Sequence, residues 1–167
     1  PRGCIREPHR VGHRNRGRSH GGLRFQSAAD RTDECTGLYR TLNQAIEGEL
    51  VASAHGIYRG GLAVHLAMVA MGGKLGMNIN LSSVPVLGVD RDDTLLFSES
   101  AGRFVVTVDP ISREKFERLF QGCACACIGT VTEAQDLIIQ GREHKPIISV
   151  AVQDLKASWK TPFGELI

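Results

Sequence analysis

The residues best placed to do chemistry lie in one stretch, Ser53-Ala54-His55-Gly56-Ile57-Tyr58-Arg59-Gly60-Gly61-Leu62-Ala63-Val64. The apolar Leu50-Val51-Ala52 leads into it and a helical pattern from Leu62 to Met71 leads out, so Gly60 and Gly61 fall where a strand or loop turns into a helix. Glycine has no Cβ to keep a ligand from the backbone, and the first amides of a helix have no partner within it. Unpaired amides pointing outward at the positive end of a helix dipole form an anion site, and the plainer alternative is a tight turn. Arg59 beside them offers a phosphate a bidentate fork, or is a solvent-facing charge. His55, His65 and His144 are isolated from one another, and His65 lies inside the apolar helical pattern, as a hydrogen-bonded core histidine would. No Ser/His/Asp or Cys/His order can be argued from the spacing, so nucleophilic catalysis has no support.

A second polar turn, Ser98-Glu99-Ser100-Ala101-Gly102, separates Thr94 to Phe97 from Arg103 to Val108. Both flanks read as strands, paired antiparallel across the turn. Glu99 is either a polar group at a substrate or nucleotide cleft or a turn carboxylate held by Arg103. Cys123, Cys125 and Cys127 alternate along a strand, with neighbours about 6.8 Å apart on one face, too far for a disulfide between Cys123 and Cys125 in a flat strand. Neither a Cys-x-x-Cys nor a paired-histidine spacing completes a zinc or iron–sulfur set, so these thiols read as small core hydrophobes and no metal ligand is assigned.

The elements that must position these groups follow from periodicity. Leu38, Leu42, Ala45 and Ile46 recur at helical spacing between Gly37 and Glu49. Val51 to Ile57 is a short strand. Gly61 to Gly73 is a helix apolar nearly all round, hence buried on most faces, and Gly72-Gly73 ends it. Leu75, Met77, Ile79 and Leu81 alternate as a half-buried strand, and Ser82 to Asp93 is an exposed connection. Asp109-Pro110 opens a helix with a cap and a proline at its first position, and the pattern stops at Gly122. Strands at 123–131, 137–139 and 147–152 and a helix at 154–159 complete the chain. Strands and helices mixed in this order predict an α+β fold, a mixed β-sheet covered by helices in α/β/α layers.

Residues 1–36 carry eight arginines against four acidic residues, a local charge of +4, while residues 37–167 carry twelve basic against fourteen acidic, a local −2. The excess of +2 over the whole chain therefore belongs to the first 36 residues, where few apolar residues and no period predict a basic irregular tail ahead of a domain at 37–167. An arginine-rich arm for nucleic acid is the functional alternative, but no aromatic residue other than Phe25 interleaves the arginines for base stacking. No apolar run is long enough to span a membrane, and five cysteines, an odd number clustered at Cys123, Cys125 and Cys127, are no disulfide framework. A reducing cytoplasm is the expected setting.

His55, Gly60-Gly61-Leu62-Ala63-Val64, Phe97-Ser98-Glu99-Ser100-Ala101-Gly102-Arg103-Phe104 and Ile128-Gly129-Thr130-Val131, in this order and at these spacings, resemble the C-terminal domain of phosphoribosylformylglycinamidine synthase, over about Leu38 to Ile167. That family sits with aminoimidazole ribonucleotide synthetase. The resemblance implies the same mixed sheet with helices, and an ATP-dependent conversion of formylglycinamide ribonucleotide to formylglycinamidine ribonucleotide in purine synthesis. It implies ATP and magnesium in the full enzyme, with N-terminal synthetase domains and a glutaminase source of ammonia as partners. The family's turn runs His-Asp-x-Ser-Asp-Gly-Gly-Leu, its first Asp binding magnesium and its Ser contacting substrate. Aligned on His55 and Gly60-Gly61-Leu62, this chain has Gly56, Tyr58 and Arg59 at the Asp, Ser and second Asp positions. The expectation is a domain inactive alone that contributes His55, Arg59, Gly60, Gly61, Glu99 and Arg103 to a substrate or phosphate cleft, and that self-associates through surface meant for its missing partners. The alternatives are a noncatalytic nucleotide-binding or assembly domain that has lost the metal site, and a basic-tailed RNA-binding module.

Overall fold

The computed structural model describes the backbone of residues 4–9, 28–85 and 89–166, and the side chains of 36–85, 89–162 and 164. Among the described residues seven strands form one sheet. Along the chain they are β1 (Cys4–His9), β2 (Ser53–Ile57), β3 (Gly76–Asn80), β4 (Arg103–Val108), β5 (Ala124–Thr132), β6 (Asp136–Gln140) and β7 (Pro146–Ala151), and across the sheet their order is β2-β4-β1-β5-β3-β6-β7. Only β3 and β6 run parallel; every other pairing is antiparallel.

Among the described residues five α-helices cover the sheet: α1 (Ala28–Glu47), α2 (Gly61–Gly73), α3 (Asp92–Phe97), α4 (Arg113–Leu119) and α5 (Val152–Lys160). The period-two pattern of β4 divides the core. Phe104, Val106 and Val108 pack with Leu38, Leu42 and Ala45 of α1 and Phe116 of α4, while Val105 faces the other way. On that second face Leu62, Leu66 and Ala70 of α2, Leu95 and Leu96 of α3 and Val152 of α5 meet Met77, Ile79, Ile128, Leu137 and Ile139. The fold is thus the α+β arrangement in α/β/α layers that the pattern predicts. Leu62 and Leu66 are fully buried, as expected of a helix apolar on nearly every side.

Three local expectations are corrected. Thr94 to Phe97 belongs to α3 rather than a strand, and Arg103 to Val108 pairs with β2 and β1 instead. The reason is burial: Leu95 and Leu96 are adjacent residues that face one core, which a helix turn allows and a strand forbids. Within 1–36, the stretch read as irregular, Cys4–His9 is an interior strand hydrogen-bonded on both sides and Ala28 already starts α1. Two waiting strand edges override a composition that lacks an apolar period. Finally, Cys123 and Cys125 are half-buried thiols outside any disulfide and pack against the α1/α4 core, as small hydrophobes should, but Cys127 is disulfide-bonded. The remaining expectations for residues 10–27 lie outside the described residues.

Candidate functional site

β2 lies at the sheet's edge and pairs with β4 residue by residue, placing His55 opposite Val105 and Ile57 opposite Arg103. Buried Ile57 ends the strand, and the chain then turns through Tyr58, Arg59 and Gly60 into α2. Gly60 and Gly61 have φ of 84° and 67°, in the left-handed region that glycine enters without steric cost. At Gly61 the lack of a side chain also matters for packing: a Cβ would stand 2.6 Å from the Leu96 carbonyl oxygen and 2.7 Å from Phe97 Cα. Glycine therefore lets the first turn of α2 meet the last turn of α3. That contact delivers the Ser98–Gly102 loop to the start of α2.

Both glycine amides are satisfied internally, which corrects the expectation that they point outward unpaired. Gly61 N–H donates to the Tyr58 carbonyl at 3.1 Å, and Gly60 N–H donates to Glu99 Oε1 at 2.8 Å. An internal carboxylate thus takes the place at the helix N-terminus where an anion is favoured. Arg103, only 3% exposed, holds the first residue of the same loop: Nη1 donates to the Ser98 carbonyl at 3.2 Å and to Ser98 Oγ at 3.1 Å. Arg59 is exposed and makes no hydrogen bond or ion pair to any described residue. Of the six candidate residues, five converge on one turn through strand pairing or hydrogen bonds, and Arg59 projects from it.

His65 belongs to this site as well, which spacing alone did not reveal. It is buried on α2, hydrogen-bonded as a core histidine should be, but its partner is the candidate His55: His65 Nδ1 and His55 Nε2 are 2.8 Å apart. Tyr58 N–H donates to the other nitrogen of His65, Nε2, also at 2.8 Å. The two histidines stand ten positions apart, and the reversal of direction between β2 and α2 makes them neighbours.

Burial, and secondarily the positive charge that His65 can carry, push the imidazole of His55 below its ordinary value of 6.5. The unfolded chain therefore takes up this proton more readily than the folded one. His55 contributes stability above the unfolded pKa that is lost as pH falls from there toward the folded value. The urea midpoint of the wild-type chain should fall more between pH 7 and pH 5 than that of His55→Gln; equal falls in both would refute the linkage.

Beside His55 a hollow of about 380 Å³ opens between α2 and the sheet, lined by His55, Val69, Leu75, Met77, Thr107 and Val131 among others. It is chiefly apolar, with Ser53 Oγ and Thr107 Oγ1 hydrogen-bonded to each other at its rim, 2.5 Å apart. At Gly56, a Cβ would stand 2.5 Å from Tyr58 Oη and 2.6 Å from Cζ, so the Tyr58 ring occupies the space a side chain at 56 would need. Magnesium takes carboxylate oxygens, and none is offered from Gly56, Tyr58 or Arg59. Among the described residues no cluster of three or more His, Cys, Asp or Glu side chains could hold a metal. The residues present do not fit a magnesium site at this turn.

A family model described as "AIR synthase related protein, C-terminal domain" matches residues 11–142, and the chain belongs to that family. Among individual proteins it is similar to the phosphoribosylformylglycinamidine synthase subunit PurL of Lactobacillus helveticus, with 39% identity over 121 residues, covering 72% of this chain and 15% of that subunit. The chain therefore spans about 15% of the length of this relative. Its fold matches the structure of PurLQS from Thermotoga maritima with a TM-score of 0.72 at 20% identity, over 92% of this chain and 26% of that one. It also matches T. maritima PurL complexed with ATP, with a TM-score of 0.71 at 18% identity, over 92% of this chain and 25% of that chain. No helix among the described residues is long and apolar enough to cross a membrane.

Proposed function

We propose that this chain is the C-terminal domain of a phosphoribosylformylglycinamidine synthase, acting in the ATP-dependent conversion of formylglycinamide ribonucleotide to formylglycinamidine ribonucleotide, and inactive by itself. The observation that carries this reading is the 39% identity to a PurL subunit, of which the chain spans only 15%. The joining of the His55–Gly61 turn to the Ser98–Arg103 loop through the Gly60–Glu99 hydrogen bond supports a cleft at that point. In this reading the setting is cytoplasmic, and ATP, magnesium and the ammonia from a glutaminase are supplied with the rest of the enzyme. Arg59 meets the phosphate of the ribonucleotide with its bidentate fork, because its guanidinium is uncommitted while the glycine amides are already paired. Tyr58 is 66% exposed and Phe97 54% exposed, and they flank the start of α2. Aromatic surface of this kind suits contact with the N-terminal synthetase domains, or self-association in their absence.

One observation favours a second reading, a noncatalytic nucleotide-binding or assembly domain. Gly56 lacks the metal-binding carboxylate that the family resemblance calls for, and Tyr58 fills the space beside it.

Calorimetric titration of the full chain with formylglycinamide ribonucleotide, and separately with ATP and magnesium, distinguishes the two. The synthase reading expects ribonucleotide binding that Arg59→Ala weakens about tenfold, the equivalent of about 1.4 kcal/mol. It also expects no release of phosphate from ATP when ammonia is added. Turnover by the chain alone would overturn the inactivity claim, and nucleotide binding without ribonucleotide binding would favour the second reading.

A further inference from the structure

The hydrogen bonds around His65 fix where the protons lie. A backbone amide can only donate, so the Nε2 of His65 that faces Tyr58 N–H at 2.8 Å must be the bare, accepting nitrogen. A neutral His65 then carries its proton on Nδ1. That nitrogen lies 2.8 Å from His55 Nε2 and must donate to it, which leaves a neutral His55 with its proton on Nδ1. We propose that His65 is a positioning residue that locks His55 as the neutral Nδ1–H tautomer, so that His55 presents the cleft with a hydrogen-bond donor and cannot act as a base.

The polarity follows from the exclusion of the other states. A proton added to His55 Nε2 would face the Nδ1–H of His65. Moving the His65 proton to Nε2 to relieve that clash would face Tyr58 N–H. Each alternative breaks one of the two bonds. Around His55, β4 presents Val105 opposite it and α2 presents His65, while from the turn the Tyr58 hydroxyl lies toward Gly56. Glu99 is engaged by Gly60 N–H, Arg59 is exposed, Arg103 holds Ser98, and Asp109 stands on the lining of the adjoining hollow. Among the described residues no carboxylate hydrogen-bonds either ring.

His55 Nδ1 itself donates to no described residue. Its N–H is available to an acceptor oxygen of a ligand, carbonyl or phosphate. This last step rests on the reading of His55 as part of the ligand cleft; the tautomer lock does not.

Long-range proton–nitrogen NMR on the full chain with ¹⁵N-labelled histidine, near pH 7.5, reads the tautomers directly. The wild-type protein should show His55 and His65 both as Nδ1–H forms. His65→Gln, whose amide can accept from Tyr58 N–H and donate to His55, should preserve the His55 signature. His65→Leu should give a mixture of His55 tautomers. His55 found as the Nε2–H form or as a mixture in the wild-type protein would overturn the lock, whether or not the Leu variant folds. Adding inorganic phosphate tests the ligand step separately: a shift of His55 Nδ1–H supports it, and an unmoved signal with the tautomer intact refutes that step alone.

Discussion

Gly61→Ala is expected to destabilise the chain by about 2–4 kcal/mol, lowering its thermal midpoint by roughly 5–15 °C. Two effects add. The backbone at Gly61 has φ of 67°, where an L side chain costs about 1–2 kcal/mol. The new Cβ would also press on backbone atoms of Leu96 and Phe97 at 2.6–2.7 Å, and backbone cannot swing aside as the end of a flexible side chain can. Relief requires α3 to back away from α2, carrying the Ser98–Gly102 loop with it and drawing Glu99 off Gly60. Gly72→Ala is the matched control. A Cβ there meets nothing within 4 Å, so this change should be neutral or stabilise the helix by about 0.5–1 kcal/mol. Thermal unfolding followed by circular dichroism measures both. A Gly61→Ala chain as stable as the wild type would show that the α2–α3 contact is looser than its geometry states.

Arg103→Ala should cost about 2–4 kcal/mol and act most strongly on the loop that carries Glu99. Arg103 is 3% exposed and its guanidinium donates to both the carbonyl and the hydroxyl of Ser98, so alanine removes packing and leaves those oxygens without this donor. Arg103→Lys keeps the charge but not the planar fork, and should fall between alanine and the wild type. Hydrogen exchange checks the location of the effect: amides of residues 98–102 and of Gly60 should exchange faster in Arg103→Ala, beyond the change that global destabilisation accounts for. If exchange rises uniformly over the sheet instead, Arg103 is a core residue with no special hold on the loop.

These two positions bear on how the site is assembled. Local hydrogen bonds shape the Gly60 turn and the Ser98 loop, but only tertiary packing brings Glu99 to Gly60. The separation of 39 positions between Gly60 and Glu99 is bridged because α2 and α3 pack on the same face of the sheet, and Gly61 and Arg103 permit and fix that packing. The lock on His55 has the same character, since it needs β2 and α2 to lie side by side.

Much was legible in the sequence because it was written as local pattern. The bounds of α2, Gly61–Gly73, follow from an apolar run closed by glycines, and β3 follows from the alternation of Leu75, Met77, Ile79 and Leu81. Asp109 takes its capping role as expected, its Oδ1 accepting from Ile111 N–H at 2.9 Å. The His55, Gly60-Gly61-Leu62 and Phe97-Ser98-Glu99-Ser100 wording pointed to the family that the comparisons show. Tertiary structure alone decided the rest, for reasons of long-range pairing and burial. Leu95-Leu96 became a helix turn because both side chains had to enter one core. Cys4–His9 became an interior strand because β4 and β5 each presented an open edge to it. The Gly60 amide took Glu99 rather than standing free, and the core histidine His65 found its hydrogen-bond partner in His55. A pattern of residue types carries periodicity and turn chemistry, but a hydrogen bond between groups distant along the chain exists only once the fold has brought them within about 3 Å.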